Sequence, residues 1–252
     1  MLYRPVRDSL CSVFLVTCLS ACGSEGDTPS PPSPTLSTTS AEGLWNGTTD
    51  TGRTVAGLVL DDGVYWVLYS AVGNPSTVAG LIQGDSSSKN GIFSSTNAKD
   101  LSLETGILEA TINGNYTARQ RLDVTIAYQA GGQSKLTTTY DSNYDLPPDV
   151  NAVAGVYTGP VAVNETVNVM VTSAGGISGS SSTGCTFTGS FSPRAQGNAF
   201  DVTMTFGGQA ACLNGGDTVR GVGFYDAGAK RLYSAALNDT RTKGFVFLGT
   251  KP

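Results

Sequence analysis

The sequence predicts an all-β protein: two tandem, small antiparallel β-barrel-like or sandwich domains, at 43–146 and 151–252, following a disordered N-terminal tether. Three observations carry this prediction. First, apolar and polar residues alternate with period two, the signature of half-buried strands. Phe200, Val202, Met204 and Phe206 alternate with Asp201, Thr203 and Thr205, and Leu122, Val124, Ile126 and Tyr128 repeat the pattern. Second, hairpin-type dipeptides recur along the chain at Asn46-Gly47, Asp62-Gly63, Asn90-Gly91, Asn113-Gly114 and Asn214-Gly215; such pairs tolerate the positive φ that tight turns require. Third, segments of the first half return in order in the second. Gly43-Leu-Trp-Asn-Gly47 matches Gly155-Val-Tyr-Thr-Gly159, and 54–60 matches 166–172.

The chain opens on Arg4 and Arg7, an apolar run from Leu10 to Leu19, and small residues before a cysteine. That order reads as a signal peptide over 1–21, and the apolar run is shorter than the roughly 20 residues that span a bilayer. Leu19-Ser20-Ala21-Cys22 resembles the lipobox of bacterial lipoproteins. The resemblance implies cleavage before Cys22, diacylglycerol on its thiol and acylation, typically by palmitate, of the new amino terminus. It makes the membrane a partner through the lipid anchor. Gly23 and Ser24 follow where an aspartate would hold such a protein at the inner membrane, which implies the outer membrane.

Residues 22–42 read as the tether. Pro29, Pro31, Pro32 and Pro34 lie among serines and threonines with no apolar period, so the segment cannot bury a core. In extended form it reaches about 60 Å. A second break, 147–150, contains Pro147-Pro148, which bars regular strand pairing.

Each half has room for about eight strands of ordinary length. Val64–Tyr69 is apolar on both faces and reads as a central strand. Two further matches, 111–116 with 186–191 and 122–128 with 200–206, complete the alignment of the halves and place Asp123 opposite Asp201. In this alignment the first copy carries an extra excursion, 70–107, with a short helix expected over 96–105.

Lys and Arg number 15 against 20 Asp and Glu, and net charge is -5, which argues against nucleic acid as a partner. Of the five cysteines, Cys11 and Cys18 leave with the signal peptide and Cys22 takes lipid. Cys185 and Cys212 remain, and an oxidising compartment predicts one disulfide between them, two buried thiols being the alternative.

The chain has no histidine, which excludes histidine-based triads and histidine metal sites. Gly84-Asp85-Ser86 and Asp61-Asp62 read as turns between strands. Asp141, Asn143 and Asp145 alternate as in a calcium loop, but Leu146 and Ala152 stand where glycine and a distal glutamate belong, so the segment reads as a solvated linker. No catalytic residue, metal site or cofactor is expected.

Gly43-Leu44-Trp45, a strand, a glycine turn and Tyr69-Ser70-Ala-Val-Gly-Asn74 resemble the opening hairpins of streptavidin-type barrels, and Gly-x-Trp is similar to the lipocalin start. This implies a small-ligand cavity lined by Tyr69, Ser70 and Asn74. After Trp66 no further tryptophan follows. The whole arrangement looks broadly similar to surface lipoproteins built from successive small barrels, such as transferrin-binding protein B. The expected function is therefore non-enzymatic: binding of a macromolecular partner through β-domain loops, with 70–107 as the binding surface. A small-ligand carrier or a periplasm-facing envelope component is the alternative.

Overall fold

The computed structural model describes residues 39–252 apart from 163 and 164. The signal peptide, Cys22 and the tether as far as residue 38 lie outside the described residues.

Two closed eight-stranded antiparallel barrels follow one another. The first contains β1 (Gly43–Thr49), β2 (Thr54–Val59), β3 (Val64–Ala71), β4 (Asn74–Asp85), a short β5 (Ser87–Lys89), β6 (Ile92–Ser102), β7 (Gly106–Thr117), β8 (Arg121–Tyr128) and β9 (Gln133–Asp141). β4 and β5 pair in turn with the two halves of β6, so together they fill one place in the ring. The second is β10 (Gly155–Ala162), β11 (Glu165–Val171), β12 (Gly176–Ser181), β13 (Thr186–Pro193), β14 (Phe200–Phe206), β15 (Thr218–Asp226), β16 (Arg231–Leu237) and β17 (Gly244–Thr250). In each ring the strands follow chain order, and the first pairs with the last: Leu44 with Asp141, and Thr158 with Thr250.

The alternating residues point as their period requires. Leu122, Val124 and Ile126 are buried in the first barrel with Trp45, Tyr65, Phe93 and Ile112. Phe200, Val202, Met204 and Phe206 fill the second with Phe187, Phe191 and Tyr225.

The barrels correspond strand for strand, and this corrects the alignment read from the sequence. Gly43 faces Val59 and Gly155 faces Val171, so both partners are displaced by the same 112 residues (155 less 43, and 171 less 59). β3 and β12, β4 and β13, and β7 and β15 begin with that displacement too. The segment 111–116 lies on the sixth strand of its ring and 186–191 on the fourth of the other; 122–128 and 200–206 are likewise two strands out of step. Asp123 and Asp201 are therefore not equivalent. The excursion 70–107 is ordinary barrel wall, and the helix expected over 96–105 is the end of β6 and a turn. Asn46-Gly47 and Asn113-Gly114 are not turns either; both lie inside strands. A Cβ on Gly47 would sit 2.0 Å from the Thr137 carbonyl oxygen, and one on Gly114 2.0 Å from that of Asp123, so these glycines let neighbouring strands approach closely. Asn90-Gly91 is a true hairpin turn, with φ of 51° and 80°.

Two connecting segments are packed where the sequence suggested freedom. Of the tether, 39–42 belongs to the fold: the Tyr116 hydroxyl donates to the Thr39 carbonyl at 2.7 Å, and Ala41 and Glu42 are buried. After β9, a 3-10 turn at Ser142–Asp145 buries Tyr144, whose hydroxyl donates to Glu42 at 3.2 Å. Asn198 returns its backbone N–H to the Tyr144 carbonyl at 2.9 Å. The Asp145 carboxylate accepts from Arg119 and from the Tyr140 hydroxyl. Tyr144 thus anchors this segment in the barrel–barrel contact, while Ser142, Asn143, Leu146, Pro147 and Asp149 are exposed, as a solvated linker requires.

That contact is apolar at its centre. Leu44, Leu58, Leu60, Trp66 and Leu81 on the outside of the first barrel pack with Val222, Phe224, Ala235 and Leu237 on the outside of the second. At its margin Arg194 donates to Asp61 at 2.7 Å and Asp62 at 3.3 Å, and to Asp201 of its own barrel at 2.6 Å. Burial lowers the Arg194 pKa, but the hydrogen bonds to Asp61 and Asp201 outweigh it and leave the value raised. Asp61-Asp62 is a turn, as expected, and its carboxylates hold the neighbouring barrel.

Candidate functional site at the rim of the first barrel

Three hairpin turns of the first barrel, at 50–53, 72–73 and 103–105, lie at one end of the ring. Arg53 ties them together. The first turn closes through the Thr49 N–H on the Arg53 carbonyl at 2.9 Å, which sets the arginine at the mouth. Its guanidinium donates to the Ser70 carbonyl at 2.9 Å, pairs with Glu104 at 2.7 Å, and lies 5.4 Å from the centre of the Tyr69 ring. The hydrogen bond with Glu104 raises the Arg53 pKa against the effect of burial, and Arg53 in turn lowers that of Glu104.

Beneath the arginine is a buried acid. Asp100 on β6 accepts from the Tyr69 hydroxyl at 2.6 Å and from the Tyr128 hydroxyl at 2.8 Å. Tyr69 fits because Gly80 stands opposite it on β4; a Cβ there would lie 2.3 Å from the phenolic oxygen. Burial raises the Asp100 pKa although both tyrosines and Arg53 favour its ionised form. Burial also raises Tyr69 and Tyr128, and the adjacent Asp100 raises them further. Both carboxylate oxygens are hydrogen-bonded, and buried charge is tolerable when so satisfied. The network holds the turns in place. On the outside they present Val72 (60 % exposed), Leu103 (66 %) and, at the start of β7, Ile107 (44 %).

The sequence-predicted ligand residues all fall at this rim but do different work. Tyr69 belongs to the buried network. The Ser70 hydroxyl accepts from the Thr54 N–H at 2.9 Å and donates to the Ala71 carbonyl at 3.0 Å, so it is spent on the backbone. Asn74 is exposed, and its side-chain oxygen accepts from the Ser76 N–H and hydroxyl. Arg53, Asp100, Glu104 and Tyr128 escaped the sequence reading; they meet only through barrel closure, and no local motif marks them.

The interior of the first barrel is filled. Trp45, Tyr65, Ile82, Phe93 and their neighbours leave an apolar gap of about 30 Å³, whereas small-molecule sites occupy roughly 300–1,000 Å³. In the second barrel Cys185 and Cys212 form a disulfide that pins the 207–217 loop to the start of β13. No protein-family model, curated protein or solved structure matches the chain.

Proposed function

We propose that this chain is a lipid-anchored outer-membrane lipoprotein, not an enzyme, that binds a macromolecular partner through the rim turns of its first barrel. The anchor rests on Leu19-Ser20-Ala21-Cys22. The observation that carries the binding reading is the rim. Turns tied together by Arg53 display Val72 and Leu103 to solvent, with Ile107 beside them at the start of β7, and rigidly held loops are the usual place for recognition. Exposed apolar side chains with a polar border are what partner surfaces present. The filled lumen favours this reading over a small-ligand carrier; the periplasm-facing alternative differs only in which side of the membrane the rim meets.

Two measurements test it. A Cys22→Ser variant should leave the membrane fraction and appear in soluble form; retention in the membrane would remove the lipid anchor. A photo-crosslinking residue at Val72 or Leu103, activated in intact cells, should give a discrete adduct, and one at the exposed Met170 of the second barrel should not. Equal labelling from all three, or none from the rim, would remove the binding site. Protease added to intact and to permeabilised cells then decides the face.

A further inference from the structure

A crevice of about 50 Å³ lies between the barrels, apart from the rim. Its walls are apolar, from Leu44, Leu58 and Leu68 on one barrel and Val222 on the other, and they carry Trp66, Phe224 and Tyr233. The Phe224 and Tyr233 rings are 6.0 Å apart and tilted to each other. Asp141, Asp226, Asn46 and Ser234 are the polar residues of the lining. The Asp141 carboxylate accepts from the Asn46 amide at 2.8 Å and from the Asn143 N–H at 2.9 Å, and Asp226 accepts from the Ala229 N–H at 3.0 Å. Neither forms an ion pair among the described residues, although Arg231 stands opposite Asp226 in the β15–β16 register, whereas Asp61, Asp62, Asp145, Asp201 and Asp217 each pair with an arginine or lysine.

Aromatic faces attract cations, and carboxylates add charge complementarity. The apolar walls suit an aliphatic stem, as when lysine lays its methylenes along apolar surface and keeps its ammonium beside polar groups. The volume is that of roughly four water-sized groups, the scale of one such side chain. We infer that the crevice between the barrels receives the side chain of a lysine presented by a partner polypeptide, its stem between Leu68 and Val222 and its ammonium at Asp141 and Asp226.

The test titrates the protein with Nα-acetyl-lysine amide, with Nα-acetyl-norleucine amide, which keeps the four-carbon stem and lacks the ammonium, and with n-butylammonium. The readout is the indole N–H resonance of Trp66, told from that of Trp45 by a Trp66→Phe variant. The lysine derivative should shift it saturably, with the norleucine derivative about tenfold weaker and the Asp226→Asn variant weakened to a similar degree. An Asp141→Asn/Asp226→Asn variant should abolish the difference between the two derivatives. Asparagine at 226 keeps an acceptor for the Ala229 N–H, so that single variant remains informative if the double one fails to fold. The proposal is overturned by no saturable shift with the lysine derivative, by equal shifts from both derivatives, or by unchanged binding in Asp226→Asn. Tighter binding of n-butylammonium than of the lysine derivative would overturn the assignment to a polypeptide.

Discussion

Trp45 and Tyr157 make the same bond in the two barrels. Each stands on the first strand of its ring and donates from its side chain to the backbone carbonyl four residues earlier, Trp45 to Ala41 and Tyr157 to Val153. Both rings are buried, and each closes one end of its barrel with the chain that leads into it. The two residues differ in chemistry but keep the donor and the position, so this contact defines the common plan better than any shared sequence does. Tyr157→Phe keeps the ring and removes the donor; it should cost about 1–2 kcal/mol of stability through the unsatisfied Val153 carbonyl. Trp45→Phe also opens a cavity and should cost about 2–4 kcal/mol. Denaturant unfolding measures both, and a neutral Tyr157→Phe would show that the bond contributes nothing.

Arg194 couples the barrels across their margin. Removing it leaves Asp61 and Asp62 without a cation and should cost about 1–3 kcal/mol. In calorimetry Arg194→Ala should separate the unfolding of the two barrels. Arg194→Lys should restore only part of the loss, since an ammonium cannot fork among three carboxylates. A single unshifted transition in Arg194→Ala would assign the coupling wholly to the apolar contact.

The Cys185–Cys212 disulfide encloses a loop with a sequence separation of 27, which by chain entropy corresponds to about 3–4 kcal/mol. Reduction, or a double alanine variant, should lower the stability of the second barrel and leave the Trp45 environment of the first unchanged. Native-state hydrogen exchange resolves the two. Equal loosening of both barrels would mean that the first depends on the second for its stability.

Six tyrosines resist ionisation. Burial is the largest cause in each of Tyr65, Tyr69, Tyr128, Tyr140, Tyr144 and Tyr157, and Tyr65 is pushed up to about 12. An unfolded tyrosine loses its proton near pH ~10. Above that point the unfolded chain releases protons that the native state keeps, so stability falls as pH rises from 10 towards 12. The tyrosinate absorbance of most of these residues should therefore appear together with loss of the β-sheet circular dichroism. Smooth ionisation near pH 10 in a still-folded protein would contradict their burial.

The fold class was legible because period two is a local property: Phe200–Phe206 and Leu122–Tyr128 face inward as their alternation requires. The disulfide was legible from cysteine count and the oxidising compartment that the sequence leads one to expect. The same period misled the alignment of the halves, since it makes every strand resemble every other. Spacing held the better signal. Gly43 to Gly155 and Thr54 to Thr166 share one displacement of 112, whereas Thr111 to Thr186 spans 75 (186 less 111). At the rim, Tyr69 could be picked out beside a glycine turn, but Arg53, Asp100 and Tyr128 lie on different hairpins and become neighbours only when the ring shuts. Tyr144 was hidden for another reason: aspartates and prolines around it read as solvent-loving, and its cover comes from residues distant in sequence, Glu42 before the first barrel and Gly197 and Asn198 of the second.

Closure also has a history. The first ring cannot shut until Asp141 reaches Leu44, nor the second until Thr250 reaches Thr158, and such distant pairings are slow to form. Until then each growing sheet has a bare edge with unmatched backbone groups, open to strands of other chains. Refolding yield should therefore drop as protein concentration rises, while the finished protein stays monodisperse; a concentration-independent yield would argue that the rings shut early. The hazard of aggregation in this molecule belongs to the interval before the last strand arrives, and the native ring erases it.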